Sequence, residues 1–228
     1  MSYLESADNQ GLLRFLNKWY GAPKSPSVRL TDVSAAPREL VEWHEISAQW
    51  HGAITSHNYA ITLTELKAED GKIPFWVENQ GNWVWAFDPN DEAHLVYERG
   101  PSDEQPPWTP TCERLSHFLI HATVLEAILG APAMKVAQRI SGEWLDPQEE
   151  NREFPLPPWN WPARGSRILL GKNWLALVHP SDDPKAGHDV ILAAITPEDF
   201  AWTENTPEIK WRSYSNLRDY TTDEPLPW

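Results

Sequence analysis

His117 and His121 stand four residues apart in "LSHFLIHATVLEAILG", so on a helix they would share a face and could hold a metal with Glu113 or Glu126 as a third ligand. The simpler expectation is a solvated polar face opposite an apolar stripe. Cys112, the single cysteine, could act as a nucleophile but has no histidine paired with it by motif, and reads first as a small buried residue. Asp182 and Asp183 could do acid-base work in a cleft, although a polar loop of adjacent acids is more simply a solvated turn. "WHEIS" lacks the second histidine of a zinc-binding helix, no serine sits in a Gly-x-Ser-x-Gly elbow, and no glycine-rich loop ends in Gly-Lys-Ser/Thr. The expectation is no enzyme, no cofactor and no bound metal.

Tryptophan raises a different kind of chemistry. The chain has 14 of them against 6 phenylalanines and 6 tyrosines, and three (Trp76, Trp83 and Trp85) lie in "FWVENQGNWVWAFDPNDE" around an acidic, amide-rich turn. Indole is bulky and its N–H needs a partner when buried, so a core role comes first. A protein interface or a sugar-stacking platform remains open.

The elements that position these residues follow from periodicity. Apolar residues recur at helical spacing from Leu12 to Tyr20 after Asp8, with Gly21 and Pro23 beyond, predicting a helix over 9–20. Pro37 near a first helical position, then Leu40, Val41, Trp43 and Ile46, predicts a second. Residues 58–66 alternate as a strand. Phe75 with Val77 and Trp76 with Glu78 should face opposite ways, and after "NQGN" the row Trp83, Trp85, Phe87 predicts a β-hairpin. "AHLVYERG" then adds a third strand through the "DPNDE" turn. "TCERLSHFLIHATVLEAILG" is the strongest helix, with its apolar stripe on one side. Residues 145–165 read as a proline-rich connector and 219–228 as a short polar tail. "RILLGKNWLALVHP" and "HDVILAAI" predict two buried strands, with Thr196 and Pro197 opening a short helix. These late strands are expected to extend the earlier sheet, making residues 1–228 a single α+β domain of mainly antiparallel sheet packed against several helices.

Composition bounds the partners. The chain of 228 residues is 41% hydrophobic, enough for a core, and carries 33 acids against 19 Lys and Arg, a formal charge of -14. Such a field disfavours direct nucleic-acid binding and attracts basic partners, although it also simply keeps a protein in solution. The acids gather at Asp88, Asp91, Glu92, Glu98, Asp103 and Glu104, and again at Glu143, Asp146, Glu149, Glu150 and Glu153. With no signal-like start, no apolar run near the ~20 residues of a membrane span and one cysteine, a cytoplasmic protein without membrane contact is expected.

Glu78, Asn79, Gln80 and Gly81, then Trp83 and Trp85, then Asp88 and Asp91, then Ser116, Phe118 and Leu119, follow an order that resembles the SUKH superfamily. That superfamily includes bacterial immunity proteins and fungal cell-wall-synthesis regulators. "APRELVEWH" upstream and "NWLALVHP" with "DVILAAITPEDF" downstream extend the resemblance over about residues 10–205, most specifically over 73–130. It implies a non-catalytic protein that binds a cognate toxin, with a basic nuclease-type effector fitting the chain's charge. Glu78, Asp88, Asp91 and Glu92 are then expected to meet basic toxin residues, with Trp76 or Trp85 as an apolar anchor. A regulatory scaffold or a carbohydrate-binding module are the competing readings.

Overall fold

The computed structural model describes residues 8–31, 36–50, 54–101, 106–141, 152–181, 183 and 186–214. The fold is α+β, with antiparallel sheets, and the chain groups into two compact units, Ser6–Glu126 and Ala127–Trp228.

In the first unit, α1 (Asn9–Tyr20) starts where the Asp8 carboxylate accepts the Gly11 N–H at 2.7 Å and stops at Gly21, whose φ of 80° suits glycine. Pro37 stands at the N-cap of α2 (Arg38–Ser47), one position before the helix proper. Both helices lie within about a residue of their expected places. The predicted strand at 58–66 shortens to β1 (Tyr59–Ala60): Ile61 N–H still reaches Phe75 C=O at 2.8 Å, but a Thr62–Glu65 turn, fixed by Thr62 Oγ1 to Glu65 Oε2 at 2.7 Å, ends the pairing.

β2 (Ile73–Val77), β3 (Val84–Phe87), β4 (Leu95–Arg99) and β5 (Thr109–Arg114) complete a five-stranded meander in the order β1-β2-β3-β4-β5. Trp76 pairs with Trp85 and Val77 with Val84, but the register shifts between Pro74 and Trp76. That bulge corrects the expected alternation. Phe75 and Trp76, adjacent in sequence, both meet Phe118, at ring centroid distances of 5.2 and 6.4 Å.

β5 was not foreseen. It occupies the first residues of what periodicity assigns to the third helix, so α3 runs Leu115–Leu129. Cys112 sits in β5 with φ 67°, and it is exposed, where a small buried residue was expected. α3 is not amphipathic either. Every residue from Phe118 to Leu129 is buried, so the stripe expected on one side becomes a helix enclosed on all sides. Trp43 of α2 packs edge-on against Trp76 at 5.3 Å and donates its indole N–H to Thr123 Oγ1 at 2.9 Å, which ties α2, α3 and the sheet together.

The second unit holds a separate six-stranded sheet, ordered β11-β6-β10-β9-β8-β7. Its strands are β6 (Ala133–Ile140), β7 (Arg152–Glu153), β8 (Arg167–Leu170), β9 (Trp174–Pro180), β10 (His188–Ala194) and β11 (Arg212–Tyr214). The late strands therefore do not extend the first sheet, because β6, absent from the sequence reading, pairs with β10 along its length and supplies them with a neighbour of their own. "RILLGKNWLALVHP" is a hairpin of two strands rather than one. β9 and β10 are buried nearly throughout, and Ala137, Ala176, Val178, Val190 and Leu192 build a core that Phe200 closes from the 3₁₀ helix Pro197–Asn205. The described part of the connector is also more than a spacer. Phe154 N–H bonds Ile168 C=O at 2.8 Å, Trp159 bridges Ser166, and Trp159 and Trp161 are buried. The polar tail at 219–228 and most of the second acidic cluster lie outside the described residues.

Candidate functional site

The hairpin on which the sequence reading converges is built by its own acids. Glu78 is buried, and its Oε2 accepts the N–H groups of Gln80 and Asn82 at 3.0 and 3.2 Å, closing the turn that Gly81 completes at φ 75°. Asp91 does the same in the next turn, accepting from Ala93 N–H at 3.0 Å and Leu95 N–H at 3.1 Å. Asp88 accepts from Asn90 N–H and from Lys72 Nζ, each at 2.9 Å. Glu92 alone among the proposed acids is exposed.

These positions do not form one patch. Glu78 stands beyond the first residue of β3 and Asp88 beyond its last, so the strand separates them. The aromatic anchors are also corrected: Trp76 and Trp85 are each 1% exposed, both within reach of Phe118, and belong to the core rather than to a surface. Trp83 is half-buried, stacked on Trp85 at 6.1 Å and lying over Gly100, where a Cβ would fall 2.8 Å from its ring.

Two cations on this unit, Lys72 and Arg99, are engaged too. Lys72 Nζ lies 4.3 Å from the Tyr97 ring centroid, and Arg99, stacked 4.0 Å over Trp108, is held by Glu69 at 2.6 Å and Asp70 at 2.8 Å. The Lys72 hydrogen bond, followed by that from Asn90 N–H, holds the Asp88 carboxyl below its ordinary value. Since the folded value lies below the unfolded one, this stabilisation is present at pH above the ordinary aspartate range and is lost as pH falls through the depressed value. Lys72→Met is therefore expected to move the acid-unfolding midpoint to higher pH in a circular-dichroism titration; an unmoved midpoint would show that the bridge is energetically silent.

The sequence reading missed the most constrained group. Glu126 of α3 is fully buried, and its carboxylate receives Ser56 N–H at 2.8 Å, His57 N–H at 2.7 Å and Asn58 N–H at 3.0 Å, with the Ser56 hydroxyl donating to the Glu126 carbonyl at 3.0 Å. Burial pushes its pKa up to about 7 against the pull of those backbone donors. Its charge is also felt by Tyr20, whose phenol is raised mainly by burial and secondly by Glu126. His57 is lowered, chiefly by burial, with Glu78 pulling it back, and its ring lies 3.4 Å from the Asn79 amide nitrogen. One acid thus fastens the segment 56–58 that leads into β1. The available signal was Glu126 itself, the sole acid in the apolar run from Phe118 to Leu129.

The histidine pair resolves differently from either expectation. His121 is buried, not solvated, and its Nδ1 lies 3.0 Å from Glu113 Oε1, itself buried on β5. His117 is half-buried. Among the described residues no group of three or more His, Cys, Asp or Glu could hold a metal. Asp183 is exposed, while Asp182 lies outside the described residues. No helix among the described residues is long and apolar enough to cross a membrane.

No family model, curated protein or solved structure matches the chain.

Proposed function

We propose that this chain is a non-catalytic immunity protein that binds and neutralises a cognate toxin, a basic nuclease-type effector. The observation that carries the reading is the charge of -14, with Glu92 exposed beside the Asp88–Asp91 turn; Glu69 and Asp70, which precede β2, are 49% and 59% exposed but hold Arg99. A net negative charge of this size steers a basic partner and speeds encounter without any chemistry of its own. The resemblance to the SUKH superfamily supports it, because its landmark residues occupy a turn, a tryptophan-bearing strand, an acidic turn and a helix in that order along one meander.

Burial redistributes the roles. Trp76, Trp85 and Glu78 build the scaffold, Asp88 and Asp91 shape the turn, and Glu92 is left as the contact residue of the original six. Glu92→Lys is expected to slow association with the toxin several-fold and flatten its salt dependence while leaving the melting temperature unchanged. The primary test is co-expression in a sensitive bacterium with the products of the genes adjacent to this one, reading survival and recovery of a stoichiometric complex. Rescue with a complex supports immunity; neither rescue nor binding overturns it in favour of a regulatory scaffold with several cellular partners.

A further inference from the structure

A second surface lies on the same unit, and its acidic side reaches the Asp91 turn through Glu39, 3.7 Å from His94 Nδ1. Between α1 and α2, residues 22–31 ("APKSPSVRLT") form neither helix nor strand and are fastened at two places: Lys24 and Ser25 N–H reach Gln49 C=O at 2.8 and 3.2 Å, and Leu30 N–H reaches Glu45 Oε1 at 2.7 Å. Exposed large hydrophobic side chains are few among the described residues. They are Val28 at 46%, Leu30 at 36% and Tyr59 at 49%, so two of the three flank Arg29 in this arm.

Charge sets the arm apart from the rest of the chain. Lys24 and Arg29 are basic, and no acid stands between Gly21 and Thr31, in a protein of net charge -14. The helix that anchors the arm is the reverse: Glu39, Glu42 and Glu45 recur every three residues on α2 and so share a side. Glu39 and Glu42 keep 40% and 30% of their side chains exposed, although Glu39 lies 3.7 Å from His94 Nδ1 and Glu42 holds Arg38 at 2.6 Å and Asn9 at 2.7 Å. An apolar-flanked cation therefore lies next to an acidic rim, joined through the Leu30 to Glu45 bond.

We propose that the arm at residues 24–31 and the acidic side of α2 form a self-association surface, occupied by a second copy of this chain. A two-fold arrangement sets Arg29 of each copy against Glu39 and Glu42 of the other, while Val28 and Leu30 leave water at the centre. A basic partner would meet Lys24 and Arg29 with like charge, whereas another copy presents acid. Two apolar side chains per copy make a small interface, so association is weak and salt-sensitive.

Sedimentation velocity on the full chain from about 5 to about 300 μM tests this, at low and high salt. The expected result is a dimer that grows with concentration and recedes with salt. Val28→Ser with Leu30→Ser, Arg29→Glu, and Glu39→Lys with Glu42→Lys should each be monomeric with unchanged circular dichroism, and mixing the second variant with the third should restore a heterodimer. A wild-type chain that stays monomeric at the highest concentration overturns the proposal. So does a Val28→Ser, Leu30→Ser chain that dimerises as well as wild type, or a charge-swapped mixture that remains monomeric.

Discussion

Replacing Glu126 by alanine is expected to lower the unfolding free energy by about 3 kcal/mol, because it leaves the buried Asn58 N–H and the part-buried Ser56 and His57 N–H groups without their acceptor. Each stranded donor costs about 1–3 kcal/mol, and relief of carboxylate burial offsets part of the sum. The pH dependence carries the signature. With the folded pKa raised to about 7, above its unfolded value, the acid's contribution is fully present below the unfolded value and lost as pH rises through about 7. The gap between wild type and Glu126→Ala in urea melts should therefore be wider at pH 5 than at pH 8. Glu126→Gln, which retains one acceptor oxygen, should fall between them and lose that pH dependence. A Glu126→Ala midpoint equal to wild type at both pH values would show that the 56–58 segment is held by something else. A widening gap at higher pH would show that the backbone donors outweigh burial.

Trp85→Ala is expected to cost about 4 kcal/mol, the usual range for emptying a buried tryptophan site, and Trp76→Ala a similar amount. Trp85 contacts Phe118 at 5.8 Å and stacks on Trp83, and Trp76 contacts both Trp43 and Phe118, so either truncation opens a cavity between sheet and helices. The expected readout is a large fall in the urea midpoint. A normal midpoint would return these indoles to the surface role that the sequence left open beside the core role.

The parts that were legible are those with local causes. Asp8 and Gly21 bound α1 because a side-chain acceptor and a positive-φ glycine act within one turn of the residues they cap. The β2–β3–β4 meander was legible because alternation and turn residues lie within a few positions of each other. Phe75 defeats the same logic, since one bulged residue reverses the facing of its neighbours and leaves no mark in composition. β5 was hidden because Leu115 and Phe118 begin a strong helical pattern only a residue or so after the strand ends. β6 was hidden because Lys135, Gln138 and Arg139 interrupt its alternation.

By itself the sequence determined the α+β class, the positions of α1 and α2, the hairpin and its acidic turns, and the net negative charge. Only the tertiary structure decided which side chains the field can use. Periodicity reports which residues share a face, whereas burial depends on what covers that face; Phe118–Leu129 are all buried, where a one-sided stripe was expected. The same cause took Trp76 and Trp85 into the core and made Glu126 a fastening for a distant loop. It left the arm at Val28 to Leu30, which no motif singled out, as an exposed apolar feature of the first unit.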